Sequence, residues 1–404
     1  MEPIKSLKQI KRVTTEYFTA AHMAPQNNKK VVYCNVFTPV EMLYALDMFP
    51  VYPENHAAIV GARKMATEVA PAAEGMGYSM DLCSYARCDL GSIKAGISPT
   101  WGLPKPDLIL VSNCQCGTLT KWFEVLSRMY SVPMILIDVP HSDDGSHDEA
   151  AEKYVRSQLV DLLEYLERMT STKLDKDKFK ETIRLSGQAS DLWTRMLELG
   201  MKRPAPITVF DQFIAMFPMV SQRGTHTAVD FYSELIAELE ERSANGISAV
   251  KDEKFRLFWD NLPIWPELGR LSTFLSDRNA ALVTSIYTWA WSKLAVSEDD
   301  PLTDWTNQYL YTFNLNFKSR LDNYVDLARN FQLDGFLYHS NRSCKWISQD
   351  VQEIRNAVTR ETGIPGVIIE ADQNDTRQYA VETLEKQIDN FLDMLENLRH
   401  GIKN

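Results

Sequence analysis

The chain has 404 residues, of which 45% are hydrophobic and 24% are charged, a composition typical of a globular protein with two or three domains. Its formal net charge of −11 argues against a nucleic-acid-binding protein, which would carry a basic patch, so we expect no nucleic-acid partner. No apolar run reaches the roughly 18 residues of a membrane span, and the first residues lack the apolar core of a signal peptide. We therefore expect no membrane contact and a cytoplasmic location, where thiols stay reduced.

Three short apolar runs rich in β-branched residues predict strands in the first part of the chain. They are KVVYCNVF (30–37), DLILVSN (107–113) and VPMILIDV (132–139). Each is followed by a segment with helical spacing of apolar residues, and a long helix is predicted over 146–170. Strands that alternate with helices indicate a parallel sheet.

The alternation stops over 176–250, which is predicted to be almost entirely helical with a break at 202–208. Strands are predicted again at 281–287, 334–340 and 366–372, and a last helix at about 378–400. The predicted fold class is α/β, with two doubly wound parallel-sheet domains joined by a helical region. The predicted boundaries are 1–170 for the N-terminal α/β domain, 171–250 for the helical region and 251–404 for the C-terminal α/β domain.

The six cysteines concentrate where an open parallel sheet builds its sites. Ligands bind beyond the carboxyl ends of such strands. Cys34 lies near the end of the first predicted strand, Cys114 and Cys116 directly follow the second, and Cys344 follows strand 334–340. The remaining two belong to a helical segment between the first two strands: Cys83 and Cys88. This distribution indicates a shared site, although any single cysteine could instead be an inert buried thiol.

The spacing of the cysteines favours one kind of site over others. Structural zinc sites prefer Cys-x2–4-Cys pairs, which Cys83-x4-Cys88 and Cys114-x-Cys116 match poorly. A thioredoxin-type Cys-x-x-Cys does not occur in the sequence. Thiolates without nearby histidines favour iron–sulfur chemistry.

Two further segments have alternative interpretations. HSDDGSHDEA (141–150) could bind a metal, but a solvated loop that leads into an N-capped helix is the favoured interpretation. YTWAWSK (287–293) could wall a substrate cavity, although core packing or a subunit interface is the commoner fate of such tryptophans.

Four motifs resemble those of the 2-hydroxyacyl-CoA dehydratase and benzoyl-CoA reductase family. In chain order they are YPEN (52–55), DLCSYAR (81–87), SNCQCGTLTKW (112–122) and NRSCK (341–345). The resemblance covers nearly the whole chain and implies two α/β domains with an iron–sulfur cluster between them. It also implies a partner, an ATP-hydrolysing activator with its own iron–sulfur cluster that delivers single electrons at very low potential. This chain has no Walker-type phosphate loop, in keeping with ATP being used by the activator rather than by this chain.

The resemblance also implies which cysteines bind the cluster. Each dehydratase subunit holds one 4Fe–4S cluster through three cysteines, and the matching positions are Cys83, Cys116 and Cys344. Three more cysteines stand where dehydratase subunits generally carry other residues: Cys34, Cys88 and Cys114. The double-cubane cluster proteins, a branch of this family, carry an 8Fe–9S cofactor that needs six thiolates. We therefore predict that all six cysteines bind a double cubane, with a single 4Fe–4S cluster as the alternative.

Glu54 matches the active-site glutamate of the family within the PEN motif. A carboxyl in an apolar pocket beside a cluster would have a raised pKa and could transfer a proton. The alternative role is a carboxylate that stabilises a helix start. His56 and His339 are weaker candidates, because a lone histidine beside a strand end is more often structural.

Cations near the ligands would offset the negative charge of the cluster. Arg87, Arg342 and Lys345 lie close enough in sequence to do so, and solvated surface charges are the equally weighted alternative.

The predicted function is that of the iron–sulfur component of an ATP-dependent low-potential reductase, a homodimer that reduces a small unactivated substrate. The alternative is a subunit of a 2-hydroxyacyl-CoA dehydratase or benzoyl-CoA reductase, which would pair with a homologous, non-identical subunit. From another class, the chain could be a non-catalytic electron carrier or cluster-storage scaffold without an open pocket at the cluster.

Overall fold

The computed structural model describes residues 3–292, 294–313 and 316–401, which contain two four-stranded parallel sheets. The strands of the first sheet are β1 (Val31–Cys34), β2 (Phe49–Val51), β3 (Leu108–Ser112) and β4 (Met134–Ile137). The strands of the second sheet are β5 (Phe255–Asp260), β6 (Ala280–Ser285), β7 (Gly335–Asn341) and β8 (Gly366–Ala371). The order is β2-β1-β3-β4 in the first sheet and β6-β5-β7-β8 in the second, so the two sheets share one topology.

Helices flank both sheets and fill the segment between them. Those of the first half are α1 (Ile10–Met23), α2 (Val40–Ala45), α3 (Pro53–Ala62), α4 (Ala66–Glu74), α5 (Ser84–Ala95), α6 (Gly117–Tyr130) and α7 (Glu149–Thr170). The helices between the sheets are α8 (Lys176–Leu199), α9 (Val209–Gln222) and α10 (His226–Ala244). Those of the second half are α11 (Leu268–Ser276), α12 (Ile286–Trp289), α13 (Pro301–Asn307), α14 (Phe317–Asn330), α15 (Lys345–Ser348), α16 (Val351–Thr362) and α17 (Val381–Arg399). Short 3-10 turns lie at Ser6–Gln9, Pro25–Asn27, Trp265–Glu267 and Thr376–Gln378, and a π-helical turn lies at Gln308–Thr312.

Four of the eight described strands are buried on both faces, because helices cover each side of the sheets, whereas the edge strands β4 and β8 are partly exposed. Every residue of β1, β3, β5 and β6 is buried. Along β1, Val32 and Cys34 pack into one hydrophobic cluster, while Val31 and Tyr33 pack into the other. This burial explains why the strands read as nearly continuous apolar runs in the sequence.

The predicted α/β fold class is confirmed, and each of the six predicted strands overlaps a strand of the structure. The six predicted strands did not include β2 or β5; the sequence of β5, FRLFWD, contains two charged residues. Both charges are buried, but they are paired. Arg256 donates to Glu253 at 2.5 Å, and Asp260 accepts from Arg320 at 3.3 Å. Pairing with one nearby and one distant residue therefore allows a charged sequence to form a central strand.

One hydrophobic cluster connects the two halves and the helices between them. It contains Val32 from the first sheet, Trp193 from α8 and Trp291 from the second half. The three-part domain division therefore stays a prediction. Among the described helices, none combines the length and the apolar character that crossing a bilayer requires.

Candidate functional site

A cavity of about 800 Å³ lies where the carboxyl ends of both sheets meet. Its wall includes Val36 after β1 and Gln115 after β3 in the first half. From the second half come Asn261 after β5, Cys344 after β7 and Gln373 after β8. In a sheet of order β2-β1-β3-β4 the connections reverse direction between β1 and β3, and the equivalent position in the second sheet lies between β5 and β7. The cavity thus occupies the switch points of both sheets, where open α/β sheets bind ligands.

Three of the six cysteines line this cavity, and each directly precedes a helix. Cys83 precedes α5, Cys116 precedes α6 and Cys344 precedes the short helix α15. Helix starts present free peptide N–H groups that stabilise a negatively charged sulfur. The N–H of Leu119, for example, donates to Cys116 Sγ at 3.3 Å.

The three cavity thiols affect one another electrostatically. Burial raises the pKa of Cys83 to about 12, peptide N–H groups counteract this shift, and the neighbouring Cys116 raises the pKa further. Burial also raises the pKa of Cys344, and both Cys83 and Cys116 add to that increase. Because burial and their neighbours raise these pKa values, the sulfurs would become thiolates only with a cationic partner such as a metal.

The donor set fits an iron–sulfur cluster. Among the described residues that line the cavity there is no histidine, and the soft donors are the three thiols. Within the same described ranges, no group of three or more His, Cys, Asp or Glu side chains is arranged to hold a single metal ion, as a zinc site would require.

The other three cysteines lie in the hydrophobic core, outside the described lining of the cavity: Cys34, Cys88 and Cys114. Cys34 and Cys114 belong to one hydrophobic cluster and Cys88 to the other. Cys34 Sγ donates to the carbonyl oxygen of Val32 at 3.4 Å, while Cys114 Sγ lies 3.0 Å from Ser112 Oγ. Of these three, Cys114 lies within electrostatic reach of Cys116. The structure thus brings together three of the six predicted ligands, and the binding of a cluster by all six stays a prediction.

Glu54 lies in the first turn of α3, and its carboxyl lines the cavity. Burial raises the pKa of Glu54 to about 7, although two hydrogen bonds stabilise the carboxylate. The donors are the peptide N–H of Val36 at 3.1 Å and Nε2 of Gln115 at 3.2 Å. A carboxyl with this pKa can hold or release a proton near neutral pH.

The three flanking cations pair with groups other than the cavity thiols. Arg87 is buried and donates to Asp375 at 2.8 Å and to Glu74 at 2.9 Å. Arg342 pairs with Glu370, and Lys345 donates to the carbonyl oxygen of Arg342. For Arg342 and Lys345, both exposed, the solvated-charge interpretation fits better.

Both candidate histidines have local partners. His56 is buried between Asp89 and Ser98, each at 2.9 Å. His339 is fully buried with Nδ1 2.8 Å from the carbonyl oxygen of Leu262, and desolvation lowers its pKa to about 4. Neither histidine belongs to the described lining of the cavity, which favours structural roles.

Aromatic residues form much of the remaining wall. Tyr287, Trp289 and Trp291 line the cavity, so the aromatic segment 287–293 forms part of a cavity wall. The last residue of that segment, Lys293, lies outside the described residues. Phe37 stacks on Phe313 with ring centroids 4.0 Å apart. The wall can therefore accept an apolar group.

The predicted loop 141–150 does lead into a capped helix. Asp148 accepts from the N–H of Ala151 at 2.8 Å and caps α7. The Asp144 carboxylate accepts hydrogen bonds from the hydroxyl groups of Ser142 and Ser146 within the loop.

Two glutamines at strand ends were missed by the sequence analysis. Gln115 donates to Glu54, and Gln373 Nε2 lies 3.5 Å from Cys83 Sγ. In each case an asparagine side chain donates to the glutamine carbonyl oxygen, Asn35 at 2.5 Å and Asn341 at 2.6 Å. The rule that sites form beyond strand ends could have identified both glutamines.

Comparisons with known proteins agree with this geometry. The family described as "2-hydroxyglutaryl-CoA dehydratase, D-component" matches residues 35–395. The chain is 31% identical to the (R)-phenyllactyl-CoA dehydratase alpha subunit of Clostridium sporogenes, over 93% of this chain and 92% of that one. It is 30% identical to the (R)-2-hydroxyisocaproyl-CoA dehydratase alpha subunit of Clostridioides difficile, over 96% and 95%. It is 29% identical to one of the subunits of the benzoyl-CoA reductase of Thauera aromatica, over 93% and 91%.

The family match includes all the motifs that carry Glu54 and the three cavity cysteines. The chain therefore belongs to the 2-hydroxyglutaryl-CoA dehydratase D-component family, whose members include subunits of 2-hydroxyacyl-CoA dehydratases and of benzoyl-CoA reductase.

Proposed function

We propose that this chain is the iron–sulfur subunit of a 2-hydroxyacyl-CoA dehydratase, with a single 4Fe–4S cluster bound by Cys83, Cys116 and Cys344. The observation that carries this proposal is the convergence of three thiols from both halves on the cavity that also contains Glu54. When bound, the cluster supplies one-electron chemistry at low potential. Three thiolates would leave one of its four irons without a cysteine ligand.

The alternative prediction, an 8Fe–9S double cubane in a homodimeric reductase, requires thiolates from the core. Those thiols would have to leave two separate hydrophobic clusters, one of which also connects the two halves of the chain. This cost favours the single cluster.

Glu54 is proposed to move the proton that dehydration requires. In that reaction the bond between C2 and the hydroxyl oxygen breaks, a proton leaves C3, and the products are an enoyl thioester and water. A neutral Glu54 donates its proton to the departing hydroxyl group. Gln115 and the Val36 N–H hold the carboxyl in place, and the Asn35 side chain fixes the orientation of the Gln115 amide.

The aromatic wall favours a substrate whose acyl group is apolar. Phe37, Trp291 and Phe313 provide surface for such a group, and the apolar transfer free energy would contribute to its binding. The names of two relatives, phenyllactyl-CoA dehydratase and 2-hydroxyisocaproyl-CoA dehydratase, refer to substrates whose acyl groups are apolar. Because those relatives are alpha subunits, we propose a non-identical subunit as partner, together with an ATP-hydrolysing activator.

Iron and acid-labile sulfide analysis of anaerobically purified protein tests the cofactor. About four iron atoms per chain are expected for one cubane, whereas eight would support the double cubane. Protein that binds no iron after anaerobic reconstitution would contradict the proposal.

Turnover tests the reaction. The chain, its partner subunit and the reduced activator with ATP are incubated with (R)-2-hydroxyacyl-CoA esters that differ in acyl polarity, and with benzoyl-CoA in parallel. Formation of the enoyl-CoA from an apolar ester is the expected result. Reduction of benzoyl-CoA without any dehydration would assign the chain to the reductases instead.

A further inference from the structure

We propose that Gln373 is a positioning residue that sets the reduction potential of the cluster through Cys83. This inference rests on the proposed function, because it concerns the cluster that Cys83 would bind. The Gln373 side-chain amide donates to the Cys83 sulfur and stabilises negative charge there.

The contact joins the two halves of the protein. Gln373 follows β8 in the second half, whereas Cys83 precedes α5 in the first. Nε2 of Gln373 lies 3.5 Å from Cys83 Sγ, within hydrogen-bond range for a sulfur acceptor. Gln373 is only 1% exposed, so little solvent competes for this amide.

The surrounding contacts determine which end of the amide faces the sulfur. Asn341, the last residue of β7, donates its Nδ2 to Gln373 Oε1 at 2.6 Å. The N–H of Trp265 donates to the main-chain oxygen of Gln373 at 2.9 Å. With both oxygens engaged, the NH₂ group is the part left for Cys83.

A side-chain donor distinguishes Cys83 from the other two cavity thiols. The donors that the structure shows for Cys116 and Cys344 are peptide N–H groups, including those of Leu119 and Ile347. Peptide donors are fixed by the helix starts, whereas a side-chain donor can be removed by substitution without a change in the backbone. Among the described donors to the three cavity thiols, Gln373 is therefore the one that a substitution can remove.

The expected effect follows from charge. Reduction adds a negative charge to a cluster whose sulfurs already carry negative charge, so an N–H donor stabilises the reduced state more than the oxidised one. Removing the donor should lower the reduction potential. Loss of one charge-assisted hydrogen bond corresponds to about a tenfold lower ratio of reduced to oxidised cluster at a fixed potential, or about 59 mV for one electron.

The test compares Gln373→Met with the matched control Gln115→Met in the cluster-loaded protein. Both substitutions remove an amide from the cavity wall, but Gln115 donates to Glu54 rather than to sulfur. An electron paramagnetic resonance titration measures the potential, and iron analysis confirms that each variant is loaded. We expect a lower potential for Gln373→Met and a smaller change for Gln115→Met, because Gln115 acts on Glu54 and not directly on a ligand sulfur. Equal potentials for wild type and Gln373→Met would overturn the inference, as would equal shifts in the two variants.

If Gln373→Met does not fold or does not bind the cluster, a second variant tests the inference. Asn341→Leu leaves Gln373 in place but removes the contact that orients its amide, so a smaller shift in the same direction is expected. If Asn341→Leu loads and its potential equals that of wild type, the inference fails. Wild-type protein without any iron would instead contradict the proposed function itself.

Discussion

The three cysteines of the cavity wall and the three of the hydrophobic core differ in their local backbone. Each wall cysteine directly precedes a helix, where free peptide N–H groups meet the sulfur. The core cysteines lie at the end of a strand, within a helix and in a loop: Cys34, Cys88 and Cys114. Burial raises the pKa of the thiol in both groups, and within the wall group the neighbouring Cys116 raises the pKa of Cys83 and of Cys344 further.

This difference shows that the number of cysteines does not determine the cofactor. Cys83 and Cys88 are five residues apart, yet one faces the cavity and the other packs at 0% exposure in the core. A helix start places a sulfur among free donors, whereas the helix interior surrounds it with side chains.

Removing a wall cysteine should have the largest effect. Cys83→Ala should lose the bound iron and reduce turnover by about 100-fold or more, since it removes a cluster ligand. Cys88→Ala, on the same helical segment, is the matched control and should keep both. Iron analysis and turnover measure the outcome, and a comparable loss of iron in Cys88→Ala would support the double cubane.

Glu54→Gln should reduce turnover by about 100- to 10,000-fold while the iron content stays unchanged, because it removes the proton donor. Wild-type activity should fall as the pH rises through about 7, since the protonated carboxyl is the active form. Rate profiles against pH measure this effect. Unchanged activity in Glu54→Gln would exclude the acid role.

The same substitution changes the pH dependence of stability. The pKa of Glu54 is raised on folding, so the folded protein binds a proton that the unfolded chain releases. Wild-type stability should therefore fall as the pH rises from the ordinary glutamate range to about 7, and Glu54→Gln should lose this decline. Denaturant unfolding of the two proteins across that pH range measures the difference, and parallel curves would contradict the raised pKa.

A smaller effect is expected at the aromatic wall. Phe37→Ala removes the ring that stacks on Phe313 and should raise KM for an apolar acyl-CoA about tenfold. The control is Phe317→Ala, which alters an exposed ring that is 42% accessible and should leave KM unchanged. Equal KM values in all three proteins would place the acyl group elsewhere.

The smallest effect is expected in the core. Cys34→Ala should keep the iron content and turnover of wild type and destabilise the fold by about 1 kcal/mol, because it removes a small buried side chain. Thermal unfolding and iron analysis distinguish this packing role from ligation. Loss of iron in Cys34→Ala would instead indicate that Cys34 binds the cluster.

The sequence alone predicted the fold class, most of the strands and the region of the site. Alternating apolar runs and helical spacing predicted the α/β class and six of the eight strands, because both are local periodicities. The positions of Cys116 and Cys344 beyond strand ends, and the PEN motif of Glu54, predicted the region of the site.

The tertiary structure decided what depends on contacts between distant residues. Strand β5 was missed because its charges are neutralised by partners such as Arg320, sixty residues away. The division of the cysteines into wall and core depends on which sulfurs face the space between the two sheets. The orientation of Gln373 toward Cys83 depends on Asn341 and on the packing of one half against the other, which no local pattern encodes.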